Sequence, residues 1–126
     1  MWRYFPALCA CAAALGGCGD GDDTPTRTVQ VSAGEPVRVT AKEYAFDPGG
    51  LALNDAGTLR ITLDNRGSLA HNIKVLEGER ELGGTESFAA GGKRTATVQV
   101  RSGEYRLVCS VGDHAEKGMR GTLQVR

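Results

Sequence analysis

The sequence predicts an all-β domain, an antiparallel Greek-key sandwich or barrel, on three observations. Short segments alternate apolar and polar side chains, turn residues separate them at near-regular intervals, and no stretch carries the 3.6-residue period of an amphipathic helix. The alternating segments are 29–31, 37–40, 59–63, 73–76, 95–100, 105–109 and 122–125, about seven strands in all. In Leu59-Arg60-Ile61-Thr62-Leu63 every second side chain is apolar, so one face of the strand meets a core and the other meets water. Asp47-Pro48-Gly49-Gly50, Asp64-Asn65-Arg66-Gly67 and Ser102-Gly103 supply the turns. The stretch 77–92 breaks the pattern with five glycines and mixed charges, and reads as a long loop with room for a short helix or an irregular edge segment.

The chain has 126 residues, the scale of a single domain. Lys and Arg number 15, as do Asp and Glu, so there is no one-signed field of the kind that gathers a polyanion, and no nucleic-acid partner is expected. Residues 1–17 read as an export signal: Arg3 precedes an apolar run, 5–15, that is too short to cross a bilayer as a helix. The run closes in Leu15-Gly16-Gly17-Cys18, which resembles the bacterial lipobox. That resemblance implies diacylation of Cys18, which becomes the mature N-terminus; the rival reading is free secretion. Residues 18–27 then form the lipidated cysteine and a polar spacer, and 28–126 the folded domain. The expected location is extracytoplasmic or periplasmic, with the domain tethered to the membrane.

The cysteine count sharpens this picture. Cys9 and Cys11 leave with the signal and Cys18 is taken by lipid, so the exported domain keeps one thiol, Cys109. It has no internal partner for a disulfide, and an unpaired thiol in an oxidising compartment needs burial or a bonded partner. Three of the domain's four soft donors sit together in Cys109-Ser110-Val111-Gly112-Asp113-His114-Ala115-Glu116-Lys117-Gly118-Met119, a C-x4-H-x4-M segment between two predicted strands. The fourth, His71, opens another strand after the Gly67 turn. One thiolate, two imidazoles and a thioether select copper, with His71, Cys109 and His114 in the trigonal plane and Met119 as the weak axial ligand. Taken singly, each residue has a structural explanation: a buried thiol, a gap-filling Met, partly exposed histidines. Taken together, they use up every soft donor the mature domain has.

From about Val37 to Val125 the chain resembles the cupredoxins, the plastocyanin, azurin, auracyanin and rusticyanin group. The resemblance rests on Tyr44-Ala45-Phe46-Asp47-Pro48, Ala70-His71-Asn72, Tyr105-Arg106-Leu107-Val108-Cys109 and Met119-Arg120-Gly121-Thr122-Leu123-Gln124-Val125. The loop spacing is closer to the auracyanin and rusticyanin type than to plastocyanin. The resemblance implies one mononuclear type 1 copper on His71, Cys109, His114 and Met119, and a hydrogen bond between Asn72 and the segment at Ser110. It also implies an Ala70 carbonyl on the axial side opposite Met119.

The function expected is one-electron transfer, the electron passing through the edge of His114 inside an apolar rim of Leu69, Val111, Gly112, Ala115 and Gly118. The expected partners are redox proteins such as cytochromes or oxidase and reductase complexes, met by a monomer. The alternative is an envelope copper-binding or trafficking protein, which would want more exchangeable Met or His donors. An enzyme is not expected, because two histidines, both already assigned, leave none for a catalytic copper, and a dinuclear site would need a second cysteine in the loop. Zinc accepts thiolate and imidazole but takes thioether poorly. Tyr44 and Phe46 read as packing residues without a site role.

Overall fold

The computed structural model describes residues 27–126. The expected signal segment, Cys18 and the spacer up to residue 26 lie outside the described residues.

Ten strands follow one another: β1 (Thr28–Val31), β2 (Pro36–Lys42), β3 (Ala45–Asp47), β4 (Gly50–Leu53), β5 (Gly57–Asn65), β6 (Lys74–Glu77), β7 (Arg80–Gly84), β8 (Lys93–Val100), β9 (Gly103–Val108) and β10 (Arg120–Val125). They form two sheets, one in the order β1-β4-β10-β9-β6-β7 and the other β3-β2-β5-β8. The alternation does what it predicts. Val37, Val39 and Ala41 of β2, Leu59, Ile61 and Leu63 of β5, and Val98 and Val100 of β8 point inward from one sheet. Leu51 and Leu53, Val75, Tyr105 and Leu107, and Leu123 and Val125 point inward from the other. The two inner faces close into one core, the architecture of a β-sandwich.

Two expectations change. The sheets are mixed instead of antiparallel throughout: β1 and β10 both pair parallel with β4, and β2 pairs parallel with β5. Alternation fixes which face of a strand is buried; it carries no information on the direction of the neighbour. The reversal comes from crossovers such as Pro48-Gly49, where the chain leaves β3 in one sheet and enters β4 in the other instead of closing a hairpin. Three strands also exceed the expected number. β3 and β4 are too short to show a period, and β7 lies inside 77–92, where it pairs with β6 through a bulge between Val75 and Leu76. That stretch is therefore an irregular edge, and no helix forms among the described residues.

One close approach depends on the absence of a side chain. A Cβ on Gly121 of β10 would run into the Gly49 carbonyl, because the crossover backbone rests directly on that residue. Gly121→Ala is expected to lower stability by about 1–3 kcal/mol through local overpacking. A shift of the urea midpoint at constant m-value checks it, and an unchanged midpoint would show that the crossover yields freely.

Candidate metal centre

Strands β2, β5 and β9 run toward one end of the sandwich, and β6 and β10 start from it, so the segments that carry the soft donors meet there. Cys109 directly follows β9 and Met119 directly precedes β10; the Cys109 N–H donates to the Met119 carbonyl at 3.0 Å and closes the base of the loop. Within the loop the His114 N–H donates to the Val111 carbonyl at 3.0 Å, and the Met119 N–H donates to the His114 carbonyl at 3.0 Å. Successive tight turns thus fold His114 inward over Cys109. His71 is held from the other side by a two-bond bridge to Phe88, its N–H donating at 3.2 Å and its carbonyl accepting at 3.1 Å.

The structure brings His71, Cys109 and His114 together: one donor atom from each lies within 4.8 Å of the others, and all three residues are buried. The Cys109 Sγ is 3.7 Å from His114 Nδ1, and the two imidazole rings are 5.0 Å apart, centre to centre. Met119 is fully buried at the base of the same loop, while Ala70 is exposed. His71 Nδ1 is buried with no hydrogen-bond partner. Leaving such a nitrogen dry and unpaired costs about 1–3 kcal/mol. A metal ion among the three donors would take up its lone pair, so the residues present fit a soft-metal site.

Two buried asparagines fix the ligand-bearing segments. Asn72 Oδ1 accepts from the Ser110 N–H at 2.8 Å, and Asn72 Nδ2 donates to Ser110 Oγ at 2.8 Å. These bonds tie the residue after His71 to the residue after Cys109, the contact the sequence resemblance implied. Asn65 does similar work at the end of β5. Fully buried, it donates to the Leu69 and Phe88 carbonyls at 3.0 Å each and accepts from the Gly67 N–H at 3.1 Å.

Glu43, just past β2, is the contact that the sequence reading missed. One of its oxygens, Oε1, accepts from the Ser68 and Leu69 N–H groups at 2.7 Å each and lies 3.1 Å from His71 Nε2. The Leu69 N–H above all, with that of Ser68 and the imidazole adding to it, lowers the carboxyl pKa to about 2 against the opposing effect of desolvation. An ionised carboxylate can only accept, so the imidazole meets it with Nε2 as the donor. Gly67 makes room: a Cβ there would sit 2.5 Å and 2.7 Å from the two Glu43 oxygens and 2.8 Å from His71 Nε2. The only sequence signal was Gly67 beside an Asx-type turn, and it did not point to residue 43.

Tyr44 also gains a place at the site. Its ring lies 5.1 Å from that of His114, at 59°, with the Lys117 ammonium 4.8 Å from the tyrosine ring centre. The Tyr44 hydroxyl first, and Asp113 next, raise the Lys117 pKa above its usual value. Tyr44 packs against the core and screens one side of His114, which keeps 7% of its surface exposed. Leu69 is 45% exposed nearby in sequence to His71, the one large apolar side chain standing out among the described residues.

No protein-family model matches the chain, and no curated protein sequence matches it. Solved structures do. The chain is similar to the dithionite-reduced auracyanin of Roseiflexus castenholzii, with 19% identity, a TM-score of 0.67, and coverage of 75% of this chain and 98% of that one. It is similar to auracyanin A of Chloroflexus aurantiacus, described as a "blue" copper protein, at 16% identity and a TM-score of 0.63, covering 78% and 100%. It is similar to the rusticyanin of Thiobacillus ferrooxidans at 20% identity and a TM-score of 0.62, covering 84% of each. At these identities the likeness is one of fold, and it is the cupredoxin fold that the sequence resemblance implied.

Proposed function

We propose that this chain is a mononuclear type 1 copper protein that carries single electrons between redox partners at the outer face of the cell membrane. His71, Cys109 and His114 would hold the metal, with Met119 as a weaker fourth donor. The observation that carries this reading is the buried cluster of donor atoms from His71, Cys109 and His114, beside a His71 Nδ1 that no protein group satisfies. When bound, copper supplies a one-electron couple at a thiolate-bearing centre. The chain supplies the frame: the sandwich fixes the segments, Asn72 and Ser110 clamp them, and complete burial of His71, Cys109 and Met119 excludes water. That burial favours a resident metal over a trafficking site, where donors must open for exchange. The partly exposed His114 edge offers the path for the electron, and the rim with Leu69 suits a brief, small contact with a cytochrome or an oxidase or reductase complex.

Strand register sets the end of the domain at which a tether would act. Thr28 of β1 and Thr122 of β10 are both level with Gly50, so the chain enters the domain at the end where the metal donors lie. If Cys18 carries lipid, the stretch from there to Arg27 spans at most roughly 30 Å and holds that end near the bilayer.

Adding Cu(II) to the purified polypeptide from residue 19 onward is expected to give an intense thiolate-to-copper absorption band and a narrow copper hyperfine splitting in paramagnetic resonance. A colourless protein, or an ordinary cupric spectrum, would overturn the reading and favour trafficking. Met119→Leu is expected to keep the band and raise the reduction potential, since the thioether is the weakest of the four donors and its loss leaves the thiolate and both imidazoles in place. Loss of the band in that variant would make Met119 more than a weak fourth donor.

A further inference from the structure

We propose that Glu43 is a positioning residue for the copper centre, which fixes the tautomer of His71 and lowers the reduction potential through its carboxylate charge. The inference rests on the copper reading above. Its basis is a chain of contacts at the donor set: His71 Nδ1 buried without a partner, His71 Nε2 at 3.1 Å from Glu43 Oε1, and Glu43 Oε1 held by two backbone donors.

Each link has a physical consequence. An ionised carboxylate accepts and cannot donate, so the imidazole in contact with it carries hydrogen on Nε2 and presents a bare Nδ1 to the metal. The Ser68 and Leu69 N–H groups hold the carboxylate in place before any metal arrives, so no reorganisation is needed to aim the ring. The missing side chain at Gly67 allows the close approach, since a Cβ there would overlap both the carboxylate and the ring nitrogen. A carboxylate bonded to a ligating imidazole makes that ligand more basic and places a fixed negative charge one ring away from the metal. Both effects favour the more highly charged oxidation state, so the electron is held less tightly and the potential falls. A neutral acceptor in the same place would aim the ring equally well without adding the charge. The proposal is therefore a statement about charge as well as geometry.

Loss of an outer partner of a metal-binding histidine changes metal affinity by about 10-fold or more. If that loss falls on Cu(II) alone, a tenfold change in the Cu(II) to Cu(I) affinity ratio corresponds to about 59 mV for one electron.

The test has two readouts on the whole protein. In the metal-free protein labelled with nitrogen-15, long-range proton–nitrogen correlation spectra report the His71 tautomer. Nε2–H is expected, and Nδ1–H would overturn the positioning role. In the copper-loaded protein, voltammetry compares Glu43→Gln, which keeps an acceptor and removes the charge, with Gly67→Ala, whose Cβ pushes the carboxylate and the His71 ring apart. Both are expected to raise the potential by about the tenfold equivalent. Glu104→Gln, the same charge change at the far end of β9, is expected to leave it unmoved. An unchanged or lowered potential in Glu43→Gln, or an equal shift in Glu104→Gln, would overturn the charge role. A wild-type protein that binds no blue copper sinks the copper reading and the potential-setting role together, while the tautomer measurement still decides whether Glu43 orients His71. If Glu43→Gln fails to fold, Gly67→Ala and the wild-type tautomer decide the matter.

Discussion

Cys109→Ser is expected to remove the blue absorption completely while leaving the sandwich folded. The intense band arises from charge transfer out of a thiolate, and a serine hydroxyl is not ionised near neutral pH and is a harder donor than copper prefers here. Its structural effect should be small by comparison. Cys109 is fully buried, and its backbone bond to the Met119 carbonyl does not involve the side chain. The new hydroxyl, which can donate or accept, faces His114 Nδ1 within the pocket, 3.7 Å from where the sulfur stands. Visible spectra of the copper-loaded variant and thermal unfolding of the metal-free one separate the two effects. A blue band that persists in the serine variant would overturn the ligand assignment, because no other cysteine occurs after Cys18.

The second large effect is expected in Asn65→Ala, a loss of about 2–3 kcal/mol of stability in the metal-free protein. The residue is fully buried and its amide joins three backbone groups: the Gly67 N–H and the carbonyls of Leu69 and Phe88. Exposed Leu69 can turn to water, and the Phe88 carbonyl keeps the His71 N–H, so the penalty falls mainly on the Gly67 N–H and the cavity left behind. Those same contacts set the turn on which His71 and the Glu43 bonds depend, so copper binding should weaken along with stability. Urea unfolding of the metal-free variant measures the first effect and copper titration the second. A change below about 0.5 kcal/mol would mean that water replaces the amide at no cost, as for an ordinary surface position.

Asn65 shows where the sequence stopped being informative. In Asp64-Asn65-Arg66-Gly67 it reads as a turn former, since Asn commonly bonds backbone two residues ahead, and the bond to the Gly67 N–H has that form. In the structure it still belongs to β5 and reaches 23 residues along the chain to Phe88. The linear pattern contained the local half of its role and could not contain the distant half. Glu43 is the stronger case. A carboxylate at the end of an alternating strand is ordinarily a solvated side chain, and nothing within a few residues marks it as the neighbour of His71, 28 positions away. Tyr44 was read correctly as a packing residue, but which surface it packs against, the ring of His114, was not visible.

By itself the sequence determined the faces of the long strands, the all-β class and the small set of donors able to hold a soft metal. It did so because a period of two assigns each side chain to core or solvent, and because Cys109, Met119, His71 and His114 leave the domain no other soft ligands. The tertiary structure alone decided that β2 lies parallel to β5, that β4 bridges β1 and β10, and that the ends of β2 and β5 meet the loop after β9. From that meeting come the carboxylate on His71, the Asn72–Ser110 clamp and the tyrosine over His114. The reason is geometric: alternation records burial along one strand, whereas these contacts depend on which strands lie side by side and in which direction, and the core that settles that choice exists only once both sheets have closed on it.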